Sequence, residues 1–343
     1  IVRDETAEMA ALLRRLAAEA RFDVVHADQL SMAPWGLLAA EAAAQRPRTV
    51  LDEHNAIYKL TERIAAEATA LHRLIARREA RAFHRYEAAM LRAYDAVLAV
   101  TEEDRRHLLA LWKVADHGSQ VKGPLHPSFT TCSPEPSITV IPICVDPEAV
   151  QPIKQRKTAS PLFPFSPSIL HLGTMFWPPN VAGVLWFARE VLPRVWERLP
   201  TARFVVVGKN PPAAVQALSA DSRVLITGYV PDPRPYLETA DVFIVPLFSG
   251  SGMRVKILDA WLWGLPIVST PIGAEGIEVR DGENILIAAD AAAFADAVVR
   301  VLTDATLNRR LRTEGRRWVE ARYDWRLVYR QVDAVYDRLL ADR

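Results

Sequence analysis

The chain has 343 residues, half of them hydrophobic and 24% charged, with a formal net charge of +1. That length and apolar content support a large core divided between two domains and exclude a disordered chain. The first 157 residues carry 21 basic and 21 acidic side chains, so no one-signed field points to nucleic acid, and no run approaches the roughly twenty apolar residues of a membrane span.

From the start, the segment Glu5 to Ala20 has the pattern of an amphipathic helix from the middle of a domain. The chain opens at Ile1 without a signal peptide, and residues are expected to be missing before it. Next come a strand, FDVVHA (22–27), a small-residue helix around Trp35 to Ala44, and a second strand in RTVLDEHN (48–55). Alternating short strands and helices imply a parallel sheet covered on both faces. Between Arg48 and His117 there is neither glycine nor proline, and Leu60, Ile64, Leu71, Ile75, Phe83, Tyr86 and Met90 keep near-helical spacing. That long helix ends at the strand AVLAV (96–100). TEED (101–104) then supplies an N-cap and an acidic first turn for another helix.

Prolines 124, 127, 134, 136, 161, 164 and 167 crowd the middle, with a strand, Thr139 to Ile141, among them. The stretch from Pro152 to Ser168 reads as a linker, which places domains at 1–153 and 154–343. Cys132 and Cys144 have neither CxxC spacing nor a partner framework, and read as small buried or loop residues of a reducing, cytoplasmic compartment without structural zinc. Beyond the linker the alternation restarts with SILHLG (168–173), FVVVG (204–208), VLITG (224–228), VFIVP (242–246) and PIVST (266–270). The nearly continuous apolar runs suit strands buried on both faces. The first three end in glycine at their carboxyl ends, where open α/β sheets hold ligands.

The segment from Gly250 to Thr270 is the most telling. A Gly-Ser-Gly turn opens an apolar helix, Met253 to Trp263, which Gly264 stops before a strand at 267–269. Arg254 and Lys256 fall where the unpaired N–H groups of a first turn favour acidic side chains. A bound diphosphate reverses that preference: the glycine turn would hold phosphate oxygens while the two cations neutralise them. Asp259, three residues past Lys256, suits a ribose beside that diphosphate. The same spacing also fits a solvated turn in which Lys256 and Asp259 pair.

The order of these segments resembles glycosyltransferase family 4, the retaining sugar nucleotide transferases of the GT-B fold. The likeness covers the second half through HLGTMFWPPNVAGVLWFAREVLP, FVVVGKNP, VLITGYVPDPRPYLETADVFIVPL and GSGMRVKILDAWLWGLPIVSTPIGAEGI, and the first half more loosely through VVHADQL, VLDEHNAIY, AYDAVLAVTEED and VIPICVD. The resemblance implies two Rossmann-like domains facing a cleft, the first incomplete at its start, with the final segment RYDWRLVYRQVDAVYDRLL crossing back to the first domain. It places His54 against the transferred sugar, and Arg254 and Lys256 in the diphosphate loop with Gly252 and Met253. By the same resemblance Gly173 and Thr174 would form the glycine turn facing the diphosphate. Tyr229 and Val230 match the loop whose backbone contacts the base in that family, and Asp259 stands where the family usually has a ribose-binding Glu. Two departures stand out: Ser251 occupies the place of a sugar-contacting Glu, and Ile143 and Cys144 replace the usual Asn-Gly.

The implied partners are a nucleoside diphosphate sugar and an acceptor hydroxyl, with no nucleic acid and no further cofactor. No Asp-X-Asp motif occurs, so no metal is expected, and the two cations would do a metal's work at the departing diphosphate. A sugar nucleotide epimerase of the same fold would draw on Asp52 and Glu53 beside His54. A non-catalytic nucleotide-sugar-binding relative is the other alternative, and an oxidoreductase lacks the GxGxxG that it would need. Arg73, Arg77, Arg78, Arg81 and Arg85 could rest a helix face on anionic lipid, as a lipid-linked acceptor would require; Glu79 and Glu87 interleave, and the pattern favours a solvated charged face over that reading. Trp177, Trp186, Trp261 and Trp263 read as core aromatics, with Trp177 near the glycine turn.

Overall fold

A computed structural model describes residues 6–59, 61–62, 70–114, 137–152, 166–250 and 252–341. Leu60, Ile64, Cys132, Ser251, prolines 124, 127, 134, 136, 161 and 164, and most of the expected linker lie outside them. The chain forms two compact units, Ile1–Pro142 with Val328–Arg343, and Ile143–Leu327.

In the first unit four strands, β1 (Val24–Asp28), β2 (Arg48–Glu53), β3 (Ala96–Ala99) and β4 (Ser137–Val140), pair in that order, all parallel. The helices are α1 (Ala7–Glu19), α2 (Ala33–Ala42), α3 (Ala70–Ala93) and α4 (Glu102–Val114). Thr101 caps α4 as expected, its Oγ1 accepting from Asp104 N at 3.0 Å. Leu51, Leu91, Val97, Leu108 and Leu111 form the centre of the core.

The second unit carries a six-stranded sheet of β5 (Ser168–Leu172), β6 (Arg203–Val207), β7 (Val224–Ile226), β8 (Val242–Val245), β9 (Ile267–Ser269) and β10 (Leu286–Ile287). Its order is β10-β9-β8-β5-β6-β7, all parallel. Read from β7, the order is that of a Rossmann sheet, and the chain reverses direction across the sheet between β5 and β8. Open sheets of this kind bind ligands at that reversal, outside the carboxyl ends of the strands. The helices are α5 (Pro178–Trp186), α6 (Leu192–Arg198), α7 (Ala213–Gln216), α8 (Arg234–Leu237), α9 (Val255–Leu262), α10 (Ala291–Thr303) and α11 (Ala305–Tyr323). Phe187, Phe204 and Phe294 pack at the middle of the core, Phe187 lying 4.8 Å from Phe204 and 5.9 Å from Phe294 between ring centroids.

The last helix, α12 (Trp325–Ala341), belongs to the first unit from Val328 onwards. There Arg48 Nε donates to Leu339 O at 3.1 Å, and Tyr336 Oη lies 2.5 Å from His26 Nδ1. The tryptophans divide. Trp261 is fully buried, its Nε1 donating to Asn284 O, whereas Trp177 is exposed, with Phe176 beside it in sequence.

Candidate functional site

The carboxyl end of β5 and the start of α9 bring together the groups that the second unit offers to a ligand. Lys256 rises from the first turn of α9, and its Nζ donates to Asn180 Oδ1 at 3.0 Å. Asn180 in turn donates from Nδ2 to Thr174 O at 2.9 Å, so the lysine is tied to the turn that follows β5. The turn leaves no room beside the amine: a Cβ on Gly173 would stand 2.9 Å from both Lys256 Nζ and Asn180 Nδ2, and would push those side chains aside. No carboxylate pairs with Lys256 among the described residues. Burial, and then the charge of Arg254, push its amine down to about 8. Below that pH an ammonium group stands at the end of β5 held only by a neutral amide.

His171, two residues before Gly173, is wholly buried. Its Nδ1 lies 3.1 Å from Ile244 O and donates to it, linking β5 to β8 across the reversal point. That contact fixes the tautomer and leaves Nε2 a bare acceptor without a partner among the described residues. Burial first, and then Lys256, hold the imidazole down at about 3, so it is neutral at any working pH.

Arg254 and Lys256 are treated differently by the fold. Arg254 occupies the N-cap position, and its side chain is buried. Nη1 donates to Gly252 O at 3.1 Å, and Nη2 faces Glu275 Oε2 at 3.5 Å. Gly250 lies over it, since a Cβ there would be 3.0 Å from Nη2. Arg254 therefore braces the loop from below while Lys256 reaches the end of β5. Met253 also turns its side chain inward. Asp259 keeps part of its surface open to solvent on α9 while desolvation of its carboxyl raises that group, and it makes no ion pair with Lys256. The solvated Lys256–Asp259 pair, one of the two readings of this spacing, is not what the fold forms. Tyr229, 72% exposed, and Val230 follow β7 at the sheet's edge. Ser251 lies outside the described residues.

In the first unit, Asp28 and Asp52 are register partners at the carboxyl ends of β1 and β2, with His54 just beyond. His54 Nε2 is 2.8 Å from Asp28 Oδ1, and Nδ1 is 3.4 Å from Gln29 Nε2. Both ring nitrogens thus have partners, and the imidazole is oriented. The second pair is His26 Nε2 with Asp52 Oδ2 at 3.7 Å. Ligand atoms of Asp28, Asp52 and His54 lie within 4.8 Å of one another and could hold a divalent ion, but only by giving up the Asp28–His54 contact.

Glu53, beside Asp52 in sequence, is 1% exposed and so is not open to exchange a proton with a ligand. Burial, and then Glu87, Asp52 and Asp104, hold its carboxyl well above the ordinary range. Glu87, pushed up to about 8 mainly by burial, accepts from Ile57 N at 2.9 Å and Tyr58 N at 2.7 Å. Asp104 accepts from Ala56 N at 3.1 Å. These acids secure the turn that follows His54. Asn180, His171, Glu275 and Asp28 were not singled out from the sequence. Only the first two left a signal there: an Asn behind two prolines, and a polar residue inside an apolar strand.

Comparison with known proteins accounts for both units. Residues 4–121 match Glycosyltransferase Family 4, and residues 166–304 match Glycosyl transferases group 1. A phosphatidyl-myo-inositol mannosyltransferase of Mycobacterium leprae is 30% identical over 176 residues, 50% of this chain and 46% of that protein. The chain spans about half the length of the curated relatives it matches. Among solved structures, sucrose-phosphate synthase from Thermosynechococcus elongatus superposes with a TM-score of 0.71 at 18% identity, over 98% of this chain and 78% of that one. Anabaena HepE in complex with UDP superposes with a TM-score of 0.70 at 13% identity, over 96% and 82%. With one family match on each compact unit and the GT-B fold shared with these structures, the chain belongs to glycosyltransferase family 4.

Proposed function

We propose that the protein moves a sugar from a nucleoside diphosphate sugar to an acceptor hydroxyl, with retention at the anomeric carbon and without a metal ion. The observation that carries this reading is the Lys256 ammonium, unpaired with any described carboxylate, against the glycine turn at the sheet's reversal point. In this reading the N–H groups around Gly173, Thr174, Gly252 and Met253 hold the diphosphate, and Lys256 neutralises it. Arg254 adds positive potential from beneath the loop. Asp259 accepts from the ribose hydroxyls, the backbone at Tyr229 and Val230 meets the base, and His54 contacts the sugar.

As the bond from the anomeric carbon to the diphosphate oxygen breaks, its electron pair stays on the diphosphate, where a fixed cation lowers the barrier. The acceptor oxygen bonds to the same face of that carbon and its proton passes to the departing diphosphate, so no protein nucleophile is needed. The mycobacterial relative's name refers to a lipid acceptor, and a glycolipid or polysaccharide acceptor is our reading here. Exposed Arg77, Arg78, Arg81 and Arg85 on α3, beside exposed Leu74 and Ile75, suit peripheral contact with an anionic cytoplasmic membrane face.

Thermal-shift screening of nucleoside diphosphates and their sugars tests this directly. A donor at a hundred times its Kd adds about 2.7 kcal/mol of stability. With the matched donor and an acceptor extract, release of nucleoside diphosphate should fall sharply in Lys256→Ala. The reading fails if no nucleoside diphosphate or its sugar stabilises the chain.

A further inference from the structure

Lys256 has a flexible four-carbon stem, and holding it in one place costs rotamer entropy. A buried neutral amide holds its amine. Asn180 is 6% exposed and sits at the third position of α5, after Pro178 and Pro179. Those prolines fix the backbone there and remove two N–H groups that the helix start would otherwise leave unpaired. Because Asn180 Nδ2 is committed to Thr174 O, Oδ1 is the atom that faces the lysine.

We propose that Asn180 is a positioning residue for Lys256, a neutral acceptor that orients its ammonium group without neutralising it, so that its full charge is left for an anionic ligand. The assignment rests on the reading of Lys256 as the diphosphate contact. It gives a physical reason for Asn rather than Asp at position 180. A carboxylate there would hold the amine equally well, and would compete with the phosphate for it and repel that phosphate.

The test separates the positioning claim from the functional one by measuring the lysine itself. Reductive 13C-methylation gives each lysine an NMR signal, and its absence in Lys256→Arg assigns the resonance. Asn180→Asp should raise the Lys256 titration midpoint by about one unit or more. It should also weaken UDP, GDP or ADP binding, measured calorimetrically at pH 7, at least tenfold. Asn180→Ser should weaken binding without raising the midpoint, and it keeps the test alive if the Asp variant unfolds. Thermal melts report folding in each case. An Asn180→Asp protein that folds and keeps both the wild-type midpoint and wild-type binding overturns the proposal, as does wild-type binding in Asn180→Ser. If the midpoint moves as expected but the wild type binds no nucleoside diphosphate, the positioning stands and the functional reading falls.

Discussion

Nucleoside diphosphate binding should weaken as Lys256 loses its proton. Its amine titrates at about 8 in the free protein, because it is buried and lies near Arg254 without a carboxylate to offset either effect. An ordinary lysine titrates near 10.4 and would show nothing in this range. At pH 9 about one molecule in eleven still carries the ammonium, so if the bound phosphate requires it, Kd rises about tenfold from pH 7, a loss of about 1.4 kcal/mol. The ligand does not confound this, since a terminal phosphate has finished ionising well above about pH 6. Isothermal titration calorimetry at pH 7, 8, 9 and 9.5, in buffers of different ionisation heat, reads both the affinity and the protons taken up. Lys256→Met should bind weakly with no slope. The free protein carries the opposite linkage: unfolding restores the ordinary lysine pKa, so this group makes the fold more stable as pH rises above 8. Equal affinity at pH 7 and pH 9 with no proton uptake would refute the placement of Lys256 on the phosphate.

Two glycines at the same strand ends should respond differently to alanine. In Gly173→Ala the new methyl meets a movable lysine tip and an amide, so the melting temperature should change little while nucleotide binding drops at least tenfold. In Gly208→Ala the methyl would lie 1.8 Å from the carbonyl oxygen of Gly173, which cannot give way, and urea denaturation should register a loss of about 1–3 kcal/mol or more. The buried acids beneath the turn after His54 make the first unit less stable as pH rises. A carboxyl whose folded-state pKa is raised contributes stability below its ordinary value of 4.5 and loses it as pH climbs through the raised one, about 8 for Glu87. Glu53→Gln should flatten the fall in melting temperature between pH 5 and pH 8.5, and an unchanged slope would show that Glu53 is not a source of it. Asp28→Asn, at an exposed side chain, should leave stability within about 0.5 kcal/mol. By releasing the His54 ring it should lower turnover about tenfold or more, with nucleotide affinity unaltered.

The strands were legible wherever burial on both faces demanded a continuous apolar run, which is why 168–172, 203–207 and 242–245 lie where VLIF-rich stretches end in Gly or Pro. β10 was not, because two residues paired at a sheet edge leave no periodicity to detect. The candidate site divides along the same physical line. Two cations in a first turn without an acid form a local anomaly, and the sequence shows it. Which of them is left without a carboxylate partner depends on chain direction at one residue: the N-cap position turns Arg254 back onto Gly252 and Glu275, and two positions later the helix carries Lys256 to the end of β5. Glu275 and Asn180 are 21 and 76 residues from their cationic partners, distances across which no periodicity carries information. The closure that sets the first of these pairs is a backbone contact, since a Cβ on Gly276 would stand 2.9 Å from Gly252 O. A charge's neighbours thus decide whether it is structural or available, and those neighbours are chosen by tertiary packing. A sequence anomaly can therefore locate a site before anything in the sequence can say which of its two cations is spent on holding the loop.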